Sequence, residues 1–186
     1  PLPGRIMRVL DQLQLLARYN EWINARLYQS AAKLSDAELA LDRQAFFGSI
    51  IGTLNHIVVG DTIWLSRFAT HPARHAALDP IRQAEIPSTL SEFAFTDIAS
   101  LHRHRQQLDQ IINRWVAQLS EEDLDHTLHY QNMKGIAGAK NFASLALHFF
   151  NHQTHHRGQV TTLLTQAGQD VGVTDLLVLI PDEIKA

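Results

Sequence analysis

Eleven histidines occur in this chain of 186 residues, and four of them lie between residues 148 and 156. Within that segment His152 and His156 are four residues apart, so an α-helix would place them one turn apart and about 40° apart around its axis. This spacing suits two imidazoles that converge on one metal ion. The same spacing is also compatible with histidines that bind backbone carbonyls and water, and the pair alone leaves both interpretations open.

A third metal ligand must come from another helix. His56 is the only histidine in the second predicted helix, where apolar residues flank it. Taken alone, a histidine in that position is more often a hydrogen-bonded core residue. With His152 and His156 opposite, it completes a three-histidine site with open coordination positions, as in catalytic metal centres. His155 lies about 100° from His156 around the helix and is expected to point toward a neighbouring helix or toward a group that supports a ligand.

Composition excludes several other kinds of chemistry. The chain has no cysteine, which excludes disulfides, thiolate metal sites and a cysteine nucleophile. A net charge of −3 and a pI of about 6.4 argue against nucleic-acid binding. No apolar run approaches the roughly 20 residues that cross a bilayer, and the first residues do not resemble a secretory signal. The sequence therefore predicts a cytoplasmic protein that binds neither membrane nor nucleic acid.

Apolar residues at spacings of three and four predict four long helices. Their approximate bounds are Met7–Lys33, Ser49–Thr70, Thr96–Leu119 and a segment from the cap Asn141 to Ala167. The connections are long enough for crossovers, and no repeat or linker divides the chain. We therefore predict an all-α, single domain over residues 1–186, a four-helix bundle with long crossover connections. A short extended hairpin is expected around His126–Gln131, and the apolar tail at 174–180 is expected to pack on the helices.

Polar residues near the histidines receive less specific predictions. Gln159 could support the site by a hydrogen bond to a ligand imidazole or to a metal-bound water, or it could serve as an ordinary polar residue at a helix interface. Arg157 is expected to form a salt bridge, with an anionic substrate as the other option. On the third helix, Arg105 and Asp109 are assigned to the solvent-exposed face.

The motifs together resemble the DinB family. The resemblance rests on N-H-x-x-H-H-R-G-Q at 151–159, on His56 followed by Asp61 and Trp64, and on Y-N-x-W-x-N at 19–24. It implies a four-helix bundle that is frequently a homodimer and that holds a divalent metal, commonly nickel or zinc, through His56, His152 and His156. Better-studied relatives are thiol-dependent transferases and isomerases that use bacillithiol or mycothiol.

Two classes of function follow from these predictions. The first is a metal-dependent enzyme that carries out thiol-dependent transfer or hydrolase-like chemistry on a small molecule, with nickel or zinc, or else iron or manganese, as the cofactor. No catalytic residue besides the three ligands is assigned. The alternative is a non-catalytic metal-binding or stress-response protein. An open coordination position that faces a cavity would favour the enzyme, whereas an apolar seal would favour the alternative.

Overall fold

The computed structural model describes residues 8–182, which are mostly helical. Its four long helices are α1 (Val9–Ala31), α3 (Ile50–Phe68), α5 (Ile98–Gln118) and α7 (Phe142–Gln166). Three short helices, α2 (Asp36–Ala40), α4 (Asp79–Arg82) and α6 (Glu121–Asp125), lie in the connections. Each long helix begins and ends within two residues of its predicted bounds. The predicted start at Met7 lies outside the described residues.

Local capping residues explain why the helix bounds could be predicted. The side chains of Ser49, Asp97 and Asn141 each accept a hydrogen bond from the backbone three residues later, which satisfies an otherwise unpaired amide of the first turn. Ser35 and Glu38 form a capping box at the start of α2. Gly168 adopts a φ of +76° directly after the C-cap of α7, a conformation that favours glycine.

The long helices pack around one core. Helix α1 contacts α5 and α7, and α3 contacts α7 and α5. Aromatic rings fill the end of the core beside the C-terminus of α3, where Phe68 stacks on Trp115 at 4.9 Å between ring centroids and meets Phe142 and Phe149 edge-on. This packing sets α3 directly against α7, so that side chains of the two helices can meet.

One antiparallel hairpin adds a small sheet to the helical fold. Strands β1 (Thr127–Gln131) and β2 (Ala137–Asn141) pair so that Tyr130 lies opposite Gly138. A Cβ at Gly138 would lie 2.8 Å from the Tyr130 ring, so glycine is needed for this close approach. The first strand matches the extended segment predicted around His126–Gln131. The fold is therefore mostly helical rather than purely α.

The C-terminal segment follows its prediction only in part. Leu176 and Leu179 pack against the core, and the Tyr19 hydroxyl donates a hydrogen bond to the Thr174 carbonyl. Leu177 and Val178 remain exposed. Among residues 8–182, no helix is both long and apolar enough to cross a membrane.

Candidate metal centre

The structure brings the side chains of His56, His152 and His156 together between α3 and α7. One ring nitrogen from each lies within 4.8 Å of the other two. His56 and His156 are buried, and His152 is half-buried. The closest pair is His56 Nε2 and His156 Nε2, which are 3.1 Å apart. Residues separated by 100 positions in the chain thus face each other across one helix interface.

The hydrogen bonds of the other ring nitrogens define the protonation of two of these histidines. His56 Nδ1 lies 2.9 Å from the Leu90 carbonyl oxygen, and because a carbonyl only accepts, Nδ1 carries the hydrogen. His156 Nδ1 likewise donates to Gln159 Oε1 at 2.8 Å. Both Nε2 atoms are therefore unprotonated in the neutral rings. The lone pairs of the two Nε2 atoms therefore face each other at 3.1 Å. No proton lies between them to form a hydrogen bond.

A divalent cation fits between these nitrogens. Two nitrogens about 2.0–2.1 Å from one zinc ion are about 3.3 Å apart in tetrahedral geometry and about 2.9 Å apart at right angles. The separation of 3.1 Å lies between these values. A bound cation would remove the repulsion between the lone pairs, and the carbonyl of Leu90 and the amide of Gln159 would hold the two rings in the ligand orientation.

Electrostatics also keep the imidazoles in the form that binds metals. Burial lowers the pKa of His56 and of His156. Burial, together with the neighbouring imidazoles, lowers the pKa of His152 to about 3. Because a metal binds the unprotonated imidazole, few protons compete with it near neutral pH.

Neighbouring groups fix the positions of the rings. The Phe47 ring stacks on His56 at 3.7 Å between centroids and contacts His156 edge-on. On the other side, a Cβ at Gly60 would lie 2.9 Å from His152 Cε1. Glycine at position 60 therefore gives the His152 ring the space that it occupies. Neither Phe47 nor Gly60 was singled out from the sequence, because no spacing rule connects them to α7.

His155 is exposed, and it lies outside the group of three histidines. The helical phase separates it from His156 as predicted, but its side chain is exposed to solvent and does not face a neighbouring helix as expected. Gln159 takes the first of its two predicted roles, as the hydrogen-bond acceptor of a candidate ligand imidazole.

A buried polar network fixes the rotation of α7 about its axis. One sequence prediction about the residues of this network is wrong. Arg105 and Asp109 are buried, not exposed. Arg105 pairs with Asp61 on α3 at 2.5 Å and with Asp109 at 3.0 Å. Gln153 on α7 donates to the same Asp61 oxygen as Arg105 does, at 2.8 Å. The sequence carried a signal for this, since Arg105 lies four residues after Leu101 and therefore on the apolar face of its helix.

The second basic residue of the network is Arg157, which is also buried. Its guanidinium donates to Asn20 Oδ1 and to Thr154 Oγ1 and lies 5.3 Å from the centre of the Tyr19 ring. It forms no direct salt bridge among the described residues, contrary to the favoured prediction. Burial lowers its pKa to about 10. The positive charges of Arg105 and Arg157 are thus balanced by the carboxylates of Asp61 and Asp109 in the same buried network.

A second histidine cluster lies beyond the C-terminal end of α3. Ring nitrogens of His71 and His75 and a carboxylate oxygen of Asp123 lie within 4.8 Å of one another. His75 Nε2 lies 3.1 Å from Asp123 Oδ2, and His71 Nδ1 accepts a hydrogen bond from the Ala73 amide. The sequence assigned no role to these residues, which lie in predicted connections.

A pocket of about 450 Å³ opens beside the three-histidine group. His56 and His152 line this pocket, together with Gly60, Trp64 and Arg67 of α3. The turn of the β-hairpin and Leu90, which come from distant parts of the chain, close the other sides. The histidine group is therefore not sealed by apolar side chains.

Comparisons with known proteins agree with the motifs that carry this site. The sequence profile of the DinB family matches residues 8–183. Protein DinB of Bacillus subtilis (strain 168) is 27% identical over 161 residues, which cover 86% of this chain and 88% of that protein. No match was found among solved structures. Because the family profile covers nearly the whole chain, including all three histidines of the centre, this protein belongs to the DinB family.

Proposed function

We propose that this protein is a divalent-metal-dependent enzyme whose metal is held by His56, His152 and His156. The observation that carries the proposal is the pocket of about 450 Å³ that reaches His56 and His152. A purely structural or storage site is normally closed by protein ligands, whereas a catalytic site keeps positions open for water or substrate. The non-catalytic alternative would fit better if apolar side chains sealed the centre.

The described residues have defined tasks in this proposal. The Leu90 carbonyl and Gln159 orient the rings of His56 and His156, and Phe47 covers the face of His56. Ile63 and Trp64 give the pocket an apolar wall beside the histidines. A divalent ion bound there would act as a Lewis acid, lowering the pKa of a coordinated water or thiol.

The reaction class that we propose is a thiol-dependent transfer to a small molecule, with hydrolase-like chemistry as the other option at the same site. A chain without cysteine must take its thiol from a small molecule, and the resemblance to thiol-dependent transferases favours this choice. Nickel or zinc suits three imidazoles, and iron or manganese would be alternatives set by availability. A DinB-type four-helix-bundle domain, a homodimer and a cytoplasmic location complete the proposal.

Metal analysis followed by activity assays tests the proposal. Protein purified without a nickel column should contain about one divalent ion per chain, and His56→Ala should contain almost none. The metal-loaded protein should then accelerate conjugation of a low-molecular-weight thiol to a chromogenic electrophile, and the stripped protein should not. Stoichiometric metal without any thiol transfer or hydrolysis would favour the non-catalytic alternative, and absence of metal binding would overturn both.

A further inference from the structure

The pocket beside the histidines has an uneven charge. Its lining includes two cationic side chains, Arg67 and Lys134, and no aspartate or glutamate. Most of the remaining wall is apolar or aromatic, from Ile63, Trp64 and residues of the hairpin turn. A pocket with this lining favours a ligand that combines an apolar body with a negative charge.

Arg67 is the better placed of the two cations. It is half-buried, and its guanidinium carbon lies 4.6 Å from the centre of the Trp64 ring and 5.3 Å from that of Tyr130. Aromatic rings on this side chain restrict its motion and leave the edges of the guanidinium free. Lys134, by contrast, is exposed on the hairpin turn and has no comparable support.

The guanidinium of Arg67 has no carboxylate partner and donates no side-chain hydrogen bond within residues 8–182. The two buried arginines, Arg105 and Arg157, both have hydrogen-bond acceptors in the polar network. Arg67 lies in the last turn of α3, where the helix dipole favours a cation. The helix dipole therefore explains why a cation is favoured at position 67. It does not explain why the side chain of this cation lines the pocket between two aromatic rings.

The distance between Arg67 and the histidines limits the size of the ligand. Gly60 contacts His152, and Arg67 follows it by seven residues on the same helix. Two helical turns correspond to about 10 Å along α3 at 1.5 Å per residue. Because the Arg67 side chain lies over Trp64, one turn closer to Gly60, this rise is an upper bound, and a ligand with an extended chain of up to about eight carbons would span from Arg67 to the histidines.

We propose that Arg67 binds the carboxylate or phosphate of an amphiphilic small molecule whose other end reaches the three-histidine centre. A guanidinium can donate two parallel hydrogen bonds to either oxyanion, which gives orientation as well as affinity. This inference deepens the proposed function, since it names the chemical class of the substrate that the pocket accepts.

Binding of three octyl compounds tests the inference in metal-free protein. Octanoate, octyl phosphate and octanol share one chain and differ in the head group, so calorimetric titration of all three isolates the effect of charge. We expect the wild type to bind at least one anion about tenfold or more tightly than the alcohol. The preferred anion distinguishes carboxylate from phosphate recognition. Equal affinity for all three compounds would overturn the inference.

Variants assign the effect to Arg67. Arg67→Gln should abolish the preference for the anion and leave octanol binding unchanged, and Arg67→Lys should retain part of it. Arg114→Gln, which removes an exposed arginine on α5, is the matched control and should bind like the wild type. If Arg67→Gln retains the preference, or if only Lys134→Gln loses it, the assignment to Arg67 is wrong.

Metal content separates this inference from the proposed function. If the wild type binds the anion but no metal, Arg67 recognition stands and the metal-dependent enzyme does not. If the protein binds metal and transfers thiols without any preference for anions, the metal-dependent enzyme stands and Arg67 recognition does not. With both intact, 8-mercaptooctanoate should bind metal-loaded protein more tightly than octanoate, because its thiol can coordinate the ion.

Discussion

A histidine cluster lies near each end of α3. The two clusters are similar in composition, but the histidines of one offer lone pairs to their neighbours and those of the other offer N–H groups. His56 lies in the second turn of the helix and faces His152 and His156, and His71 lies three residues beyond its last residue and faces His75 and Asp123. In both clusters the three side chains offer ring nitrogens or carboxylate oxygens within 4.8 Å of one another. Proximity alone would rank them as equal candidates for a metal.

The positions of the imidazole hydrogen atoms distinguish the two clusters. At the first cluster, His56 and His156 donate from Nδ1 to acceptors outside the cluster, so both Nε2 lone pairs point inward. At the second, His71 accepts the Ala73 amide at Nδ1, so its neutral ring carries the hydrogen on Nε2. His75 donates from Nε2 to Asp123. We infer that the groups around a histidine determine whether it offers a lone pair or a proton to its neighbours.

The largest expected effect separates His156, a member of the first cluster, from its sequence neighbour His155, which lies outside it. His156→Ala should abolish stoichiometric metal binding, because it removes one of the three proposed ligands. His155→Ala should retain it, because the His155 side chain is exposed and lies outside the group. Metal content and affinity are measured for both variants, with His56→Ala as a positive control. Retention of metal by His156→Ala and its loss in His155→Ala would show that the ligand set is wrong.

Metal addition should stabilise the folded protein through the first cluster without being required for folding. At free metal of about 1,000 times Kd the gain is about 4 kcal/mol, or a rise in Tm of about 8–16 °C for a chain of this size. Thermal unfolding of stripped protein with and without metal measures this. His56→Ala should show almost no rise, and an unfolded metal-free protein would contradict the prediction.

Loss of a group that orients a ligand should have a smaller effect. Gln159→Leu removes the acceptor for His156 Nδ1–H and should weaken metal affinity by about 10–100-fold while one ion per chain still binds at saturation. Competition with a chelator of known affinity measures the change. Thr162→Val, on the same helix and exposed, serves as a control. Unchanged affinity in Gln159→Leu would mean that the ring needs no such support.

The second cluster should have no effect on metal binding. His75→Ala leaves one metal ion per chain with unchanged affinity, because His75 serves as a hydrogen-bond donor to Asp123. It should lower the free energy of unfolding by about 1–3 kcal/mol, since the carboxylate loses a partner in a mostly buried position. Metal titration and denaturant unfolding test the two parts. If the wild type binds a second metal ion and His75→Ala loses it, then both clusters bind metal and the distinction between them is wrong.

The sequence by itself determined the helices and the phase of their histidines. Helix bounds follow from capping residues and apolar spacing, which act within a few residues of the chain. The 100° step per residue alone separates His156 from His155. The motifs at 19–24 and 151–159, with His56 and the residues that follow it, likewise indicated the family, because they keep their order and spacing along the chain.

Only the tertiary structure decided what surrounds these residues. The carbonyl that orients His56 belongs to Leu90, 34 residues away, and the pocket wall includes a hairpin turn more than 70 residues from His56. The burial of Arg105 depends on the carboxylate of Asp109, one turn later on α5, and on that of Asp61, which only the packing of α3 against α5 brings within reach. Helical periodicity describes one helix at a time, whereas compensation of charge and the closing of a pocket depend on which helices pack together.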